Sequence, residues 1–247
     1  LGNFMLYMKK PNVATVALDG PSGVLDYFDY ITVVGNRVFF SAYYAVNGGT
    51  TLKLFSHDGS GSTVTEVSDT SSGGNDNPTQ LKAIENDLYF SANDSSGYSR
   101  LYRVANGVGA PVLQTTINAG ASDDPSGYFR VGTDLYFTAY TAGVSKLFKL
   151  TSTGVRTQVT NTSGNGVSDD AQISFVHQGK IFLNALLSSS SKGFVYDTNT
   201  GSLTKIVDRG NQLSSFIQSP IYVGDKVYFA DAASRRTANH FYSYDTS

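Results

Sequence analysis

A five-residue apolar strand is written five times along the chain, as Val38-Phe39-Phe40-Ser41-Ala42, Leu88-Tyr89-Phe90-Ser91-Ala92, Leu135-Tyr136-Phe137-Thr138-Ala139, Ile181-Phe182-Leu183-Asn184-Ala185 and Val227-Tyr228-Phe229-Ala230-Asp231. Its central residue falls at positions 40, 90, 137, 183 and 229, a spacing of 46 to 50 residues. A repeat of that length, rich in strand and turn signals and empty of helix signals, is the pattern of a β-propeller blade. The alternative all-β architecture, a sandwich, needs strands that alternate apolar and polar because one face meets water. These five strands are apolar on both faces and have to be covered on both sides, as stacked blades cover one another. The reading is therefore all-β: a β-propeller of five four-stranded blades, or part of a larger propeller, with residues 1–247 as one domain.

The second repeat sets out the blade. Gln80–Ile84 reads as strand 1, Leu88–Ala92 as strand 2, Arg100–Val104 as strand 3 and Pro111–Gln114 as strand 4. Glu85-Asn86-Asp87 and Asn106-Gly107 supply the tight turns. Gly35-Asn36, Gly132-Thr133, Gln178-Gly179 and Gly224-Asp225 recur between strands 1 and 2 of the other blades.

The segment Asn86-Asp87-Leu88-Tyr89-Phe90-Ser91-Ala92, followed by a polar loop, a Leu-Tyr strand and an Asn-Gly turn, resembles the blade repeats of bacterial extracellular β-propeller proteins. The resemblance spans residues 30–247 and departs from tryptophan-containing versions, since this chain has no Trp. It implies a fold and a surface location, extracellular or on the cell surface, with the periplasm as an alternative. It implies no activity.

Strands 1, 2 and 4 each occur five times, whereas strand 3 occurs six times, the first and last copies at Leu6-Tyr7 and Phe241-Tyr242. The chain thus begins and ends within a blade. Closure pairs Ser219–Asp245 with the strand-4 segment Val13–Ala17 and leaves one strand-3 copy spare. That spare strand is expected to reach a neighbouring subunit, giving a homo-oligomer or filament. A first residue Leu1 in place of Met implies a segment upstream that was removed or is missing.

Charged residues make up only 15% of the chain and the net charge is -2. With no basic field, a nucleic-acid partner is not expected. No apolar run reaches the length of a membrane span. Zero cysteines exclude disulfides and thiolate chemistry.

Candidate sites lie on the face that carries the strand 2–3 and strand 4–1 connections. The segments from Tyr43 to Thr50, Asn93 to Tyr98, Tyr140 to Val144, Leu186 to Ser191 and Ala232 to Ala238 read as loops of varied content. They carry Tyr43, Tyr44, Tyr98, Tyr140, Arg235 and Arg236, which suit stacking on sugars or anchoring a protein ligand. Twelve residues before each strand-2 motif stand Asp26, Asp76, Asp123, Asp169 and, in the fifth repeat, Ser215. Two readings of these aspartates are open. They form a carboxylate ring that binds a hard cation such as calcium or attracts a cationic group, or each caps its own loop by accepting backbone N–H bonds.

His57, His177 and His240 share no ligand spacing, and no nucleophile-elbow, zinc-helix, phosphate-loop or dinucleotide motif is present. Asn93-Asp94-Ser95 and Asn161-Thr162-Ser163 are glycosylation sequons, and Ser188–Ser191 reads as a flexible loop tip. The function expected is that of a non-catalytic binding module for carbohydrate or protein. A self-assembling structural protein is the second reading. A propeller hydrolase or lyase using Asp76, Asp123 and Asp169 is the third.

Overall fold

The computed structural model describes residues 7–8, 16–18, 25–46, 49–208, 215–233 and 240–247. Short turns rich in left-handed residues join successive strands of each repeat, so every sheet is an antiparallel meander in chain order. The described residues divide into two compact units, Leu1–Ser126 and Gly127–Ser247.

In the first unit, β1 (Tyr7–Met8) pairs with β2 (Val16–Ala17). The first blade follows as β3 (Leu25–Val34), β4 (Arg37–Val46), β5 (Gly49–His57) and β6 (Thr65–Glu66). The second blade is β7 (Thr79–Ile84), β8 (Asp87–Asn93), β9 (Ser99–Val104) and β10 (Val112–Thr115), with a single 3-10 turn at Ala105–Gly107. The third blade, which lies in the second unit from Gly127 onward, is β11 (Ser126–Val131), β12 (Asp134–Thr141), β13 (Val144–Leu150) and β14 (Arg156–Gln158). A fourth has β15 (Gln172–His177), β16 (Lys180–Leu187), β17 (Ser190–Asp197) and β18 (Leu203–Val207). The last sheet is β19 (Ser215–Val223), β20 (Lys226–Ala233) and β21 (His240–Asp245). It shows three strands among the described residues where the sequence pattern expects four. The fifth strand-4 segment stands at the other end of the chain, and its described part, Val16–Ala17, pairs with Tyr7–Met8.

The second strand of each blade is covered on both faces, as its two-sided apolar pattern requires. From β8, Leu88, Phe90 and Ala92 enter a core that Val34, Phe39 and Leu54 of the first blade complete. In β16, Ile181, Leu183 and Ala185 pack with Tyr136 and Leu147 of the third blade, while Phe182 turns the other way to Val227 and Phe229 of the fifth. Each large apolar side chain removed from water in this manner contributes about 1.5–3 kcal/mol.

Several segments expected as loops are instead strand extensions closed by two-residue turns. Tyr43 and Tyr44 lie within β4, opposite Leu52 and Thr51. Ala142 and Gly143 turn β12 into β13 with φ of 49° and 79°, and Ser188 and Ser189 turn β16 into β17 with 50° and 68°. Paired positive φ values match the twist of the flanking strands. Ser190 and Ser191 are therefore buried strand residues, not a flexible tip.

Candidate functional site

The third strand of every blade from the first to the fourth opens its apolar stretch with a buried cation: Lys53, Arg100, Lys146 and Lys192. A buried ammonium or guanidinium is tolerable only when paired. The partners of the first three are the aspartates of the register, Asp76, Asp123 and Asp169, at 3.1, 2.9 and 3.0 Å. All three carboxylates are 0–1% exposed.

Each carboxylate is also capped by its own loop. Asp76 Oδ1 accepts from the Ser71 N–H at 2.9 Å, and its Oδ2 accepts from Ser68 Oγ at 2.6 Å. The oxygens of Asp123 accept from the amides of Ile117 and Asn118 at 2.9 and 2.8 Å. Asp169 Oδ1 accepts from the Ser163 N–H at 2.8 Å, and Lys146 completes its set with Asn161 Oδ1 and the Gly164 carbonyl. The aspartate backbone then ties neighbouring strands together. Asp76, Asp123 and Asp169 donate their N–H groups to the carbonyls of Leu52, Ser99 and Ser145, one residue before the paired cation in each case. The carbonyls of Asp76 and Asp169 accept from Asn93 and Leu186 at the far end of the next blade's second strand. At Asp76 and Asp169 the device is a clamp that fixes one blade's third strand to the second strand of the next, and at Asp123 it ties the second blade's third strand to the loop that follows.

The place beside each carboxylate that a hard cation would need is filled by a lysine or arginine nitrogen. Among the described residues no group of three or more His, Asp or Glu side chains gathers to hold a metal. The bonds that Asp76, Asp123 and Asp169 accept from their own loops are those the capping reading expects. Asp26 stands in β3 opposite Tyr43, and its side chain lies outside the described residues. The fourth clamp is altered. Ser215 takes the aspartate's place in the sequence, and Lys192 pairs with Asp208 at 3.1 Å.

The tyrosines expected as ligand-binding residues divide by role. Tyr98 lies over the Arg100 guanidinium, 5.3 Å from ring centroid to Cζ, and so shields a clamp. Tyr43 and Tyr140 occupy the same position of their blades, the first residue past the Ser/Thr-Ala pair of strand 2; Tyr140 is exposed and Tyr43 half-buried. The Tyr44 side chain, Arg235 and Arg236 lie outside the described residues. Tyr43 also meets Tyr27, a residue the sequence pattern did not single out, with ring centroids 6.0 Å apart and planes at 60°. Sequence reading missed the four cations as well, although their spacing of 47, 46 and 46 residues was there to be counted.

On the side of the short turns, the first unit has a cleft of about 390 Å³ lined by Arg37, Phe39, Ser56, Glu66, Val67 and Val108. It presents both signs of charge over an apolar floor.

No family model matches the sequence, and no curated protein matches it. Solved structures do. A putative TolB from Agrobacterium tumefaciens superposes with a TM-score of 0.50 at 16% identity, covering 89% of this chain and 77% of that one. A puromycin-hydrolyzing peptidase of Mycobacterium tuberculosis gives 0.56 at 11% identity, covering 100% and 44%. A puromycin hydrolase gives 0.55 at 16% identity, covering 94% and 38%. The chain thus spans less than half the length of these hydrolases. At such identities the likeness establishes the fold, a β-propeller, and nothing about activity.

Proposed function

We propose that this chain is a non-catalytic β-propeller binding module, extracellular, on the cell surface or periplasmic, that takes a carbohydrate or protein ligand on the face of the strand 2–3 hairpins. One observation carries the reading. Asp76, Asp123 and Asp169, the acids a propeller hydrolase would use, are spent inside clamps, while Tyr43 and Tyr140 repeat one position at a hairpin. A rigid scaffold with varied side chains at its loop ends is the usual setting for recognition. The puromycin hydrolases share the fold over 38–44% of their own length, and their chemistry is said of them alone.

The test is to offer the protein neutral oligosaccharides and candidate surface proteins on an array. Binding that falls by about 2- to 10-fold or more in Tyr43→Ala or Tyr140→Ala, with no release of cleaved product, is expected, since truncating the ring removes its packing surface against the ligand. Steady turnover of any offered substrate would support the hydrolase reading in its place.

A second reading rests on β21. Among the described residues this strand pairs only with β20, and its Phe241 is 66% exposed. An edge strand with an apolar side chain invites another strand, which favours self-assembly through a terminal segment. Sedimentation of the intact chain and of a chain lacking residues 1–10 separates the readings. Concentration-dependent assembly lost on deletion supports the second, and an identical monomer in both removes it.

A further inference from the structure

The residue after each register aspartate has left-handed backbone in four blades. Its φ is 54° at Tyr27, 45° at Asn77, 41° at Asp124 and 43° at Asp170. Asn and Asp tolerate this region because a short polar side chain bonds locally, whereas a bulky side chain is crowded there. Three blades therefore answer a demand of the fold with the residues that suit it. The first blade answers with tyrosine.

The same blade repeats the choice three residues later. Tyr30 has φ 51°, at a bulge register where other blades carry Gln80, Gly127 and Ser219 with φ of 56°, 63° and 53°. Neither tyrosine is repaid by burial, since Tyr27 is 60% and Tyr30 39% exposed. Strain held at an exposed aromatic is characteristic of a recognition surface, where it costs stability that a purely structural residue would recover.

We infer that the Tyr27–Tyr43 pair is a stacking platform for the apolar face of a neutral sugar ring within an oligosaccharide. This rests on the carbohydrate arm of the proposed function and places that arm on one blade. The ring geometry selects the ligand chemistry. At 6.0 Å and 60° the two rings touch edge to face, which leaves no gap between them for the caged cation of an aromatic box. Tyr27 is 60% exposed, so its ring offers an apolar surface to a ligand at the end of the sheet. A pyranose matches it, with C–H bonds on one face and hydroxyls at the rim. A net charge of -2 gives no attraction for a phosphate-bearing base.

Calorimetric titration with maltohexaose, cellohexaose and chitohexaose, together with thermal melts, tests the inference on the intact chain. Tyr27→Asn installs the residue type that the second blade carries at this position. It is expected to raise the melting temperature by about 2–4 °C and to weaken binding of the recognised oligosaccharide at least tenfold. Tyr27→Phe keeps the ring and is expected to leave both quantities near wild type. An oligosaccharide that binds wild type and Tyr27→Asn equally well overturns the platform while leaving the carbohydrate reading standing. Failure of wild type to bind any of the three overturns both. A melting temperature that falls in Tyr27→Asn overturns the strain argument on which the platform is built.

Discussion

At Lys53, burial and charge pull in opposite directions. Desolvation lowers the ammonium's pKa, but the hydrogen bonds and negative charges of Asp69 and Asp76 outweigh it and hold the group above its ordinary value. Asp69 moves the other way, held below the usual carboxylate value first by the Lys53 ammonium and then by the Gly73 amide. Burial acts against the ionised Asp94, yet the Tyr98 and Ser96 amides and Arg100 hold it low as well. The signs fix a pH window. A raised lysine contributes stability that is complete below 10.5 and lost as pH rises through its folded value; lowered aspartates contribute stability that is present above 3.8 and lost as pH falls through theirs. Melting temperature should therefore stay level from about pH 5 to pH 10 and drop below about pH 4. A decline that begins between pH 8 and pH 10 would contradict the Lys53 assignment. Asp69 is 62% exposed on its side chain, so solvent screens much of its share.

Within an element, the instructive exception is β17. The third strands of the earlier blades place Leu54, Leu101 and Leu147 after the buried cation, all fully buried, and β17 places Gly193. A Cβ there would stand 2.8 Å from Ile217 Cδ1 and 3.0 Å from Val207 Cβ. Ile217 holds the register that Ala171 holds one blade earlier, where Leu147 and Ala171 share a core. Large and small have changed places across the blade junction. Gly193→Ala, which usually helps a strand, should here cost about 1–3 kcal/mol from overpacking, read as a lower urea midpoint. Adding Ile217→Ala should recover part of the loss, and a stabilised Gly193→Ala would show that the junction is loose. Strands were the legible part of this chain. The doubly apolar second strand and the turn residues located every blade, since periodicity and positive φ are local properties. Strand ends were less legible, because Tyr43 and Tyr140 read as loop residues until pairing across β4–β5 and β12–β13 is known.

Across the whole molecule, the aspartate register was visible, and loop capping was one of its two readings, but the buried cation beside each carboxylate was not. Four aspartates at one position suggested a shared site, yet each of the three whose side chains are described belongs to a separate clamp. The deciding partner stands 23 residues earlier, in the preceding blade, and alternates between lysine and arginine, types expected in water rather than at 1–2% exposure. Tyr27 was hidden for a different reason: only the backbone conformation marks a tyrosine there as out of place. We propose that these aspartates act as structural clamps in place of a metal or catalytic role. A double-mutant cycle on Lys146 and Asp169, with Lys146→Met, Asp169→Asn and the pair, tests it most directly by urea unfolding in chelator and again in millimolar calcium. Each single change should cost on the order of 3–5 kcal/mol by stranding a buried group, the pair should cost less than the sum by about 1–3 kcal/mol, and calcium should alter none of these values. Additive losses, or a wild-type protein that calcium stabilises and Asp169→Asn no longer lets it stabilise, would contradict the account.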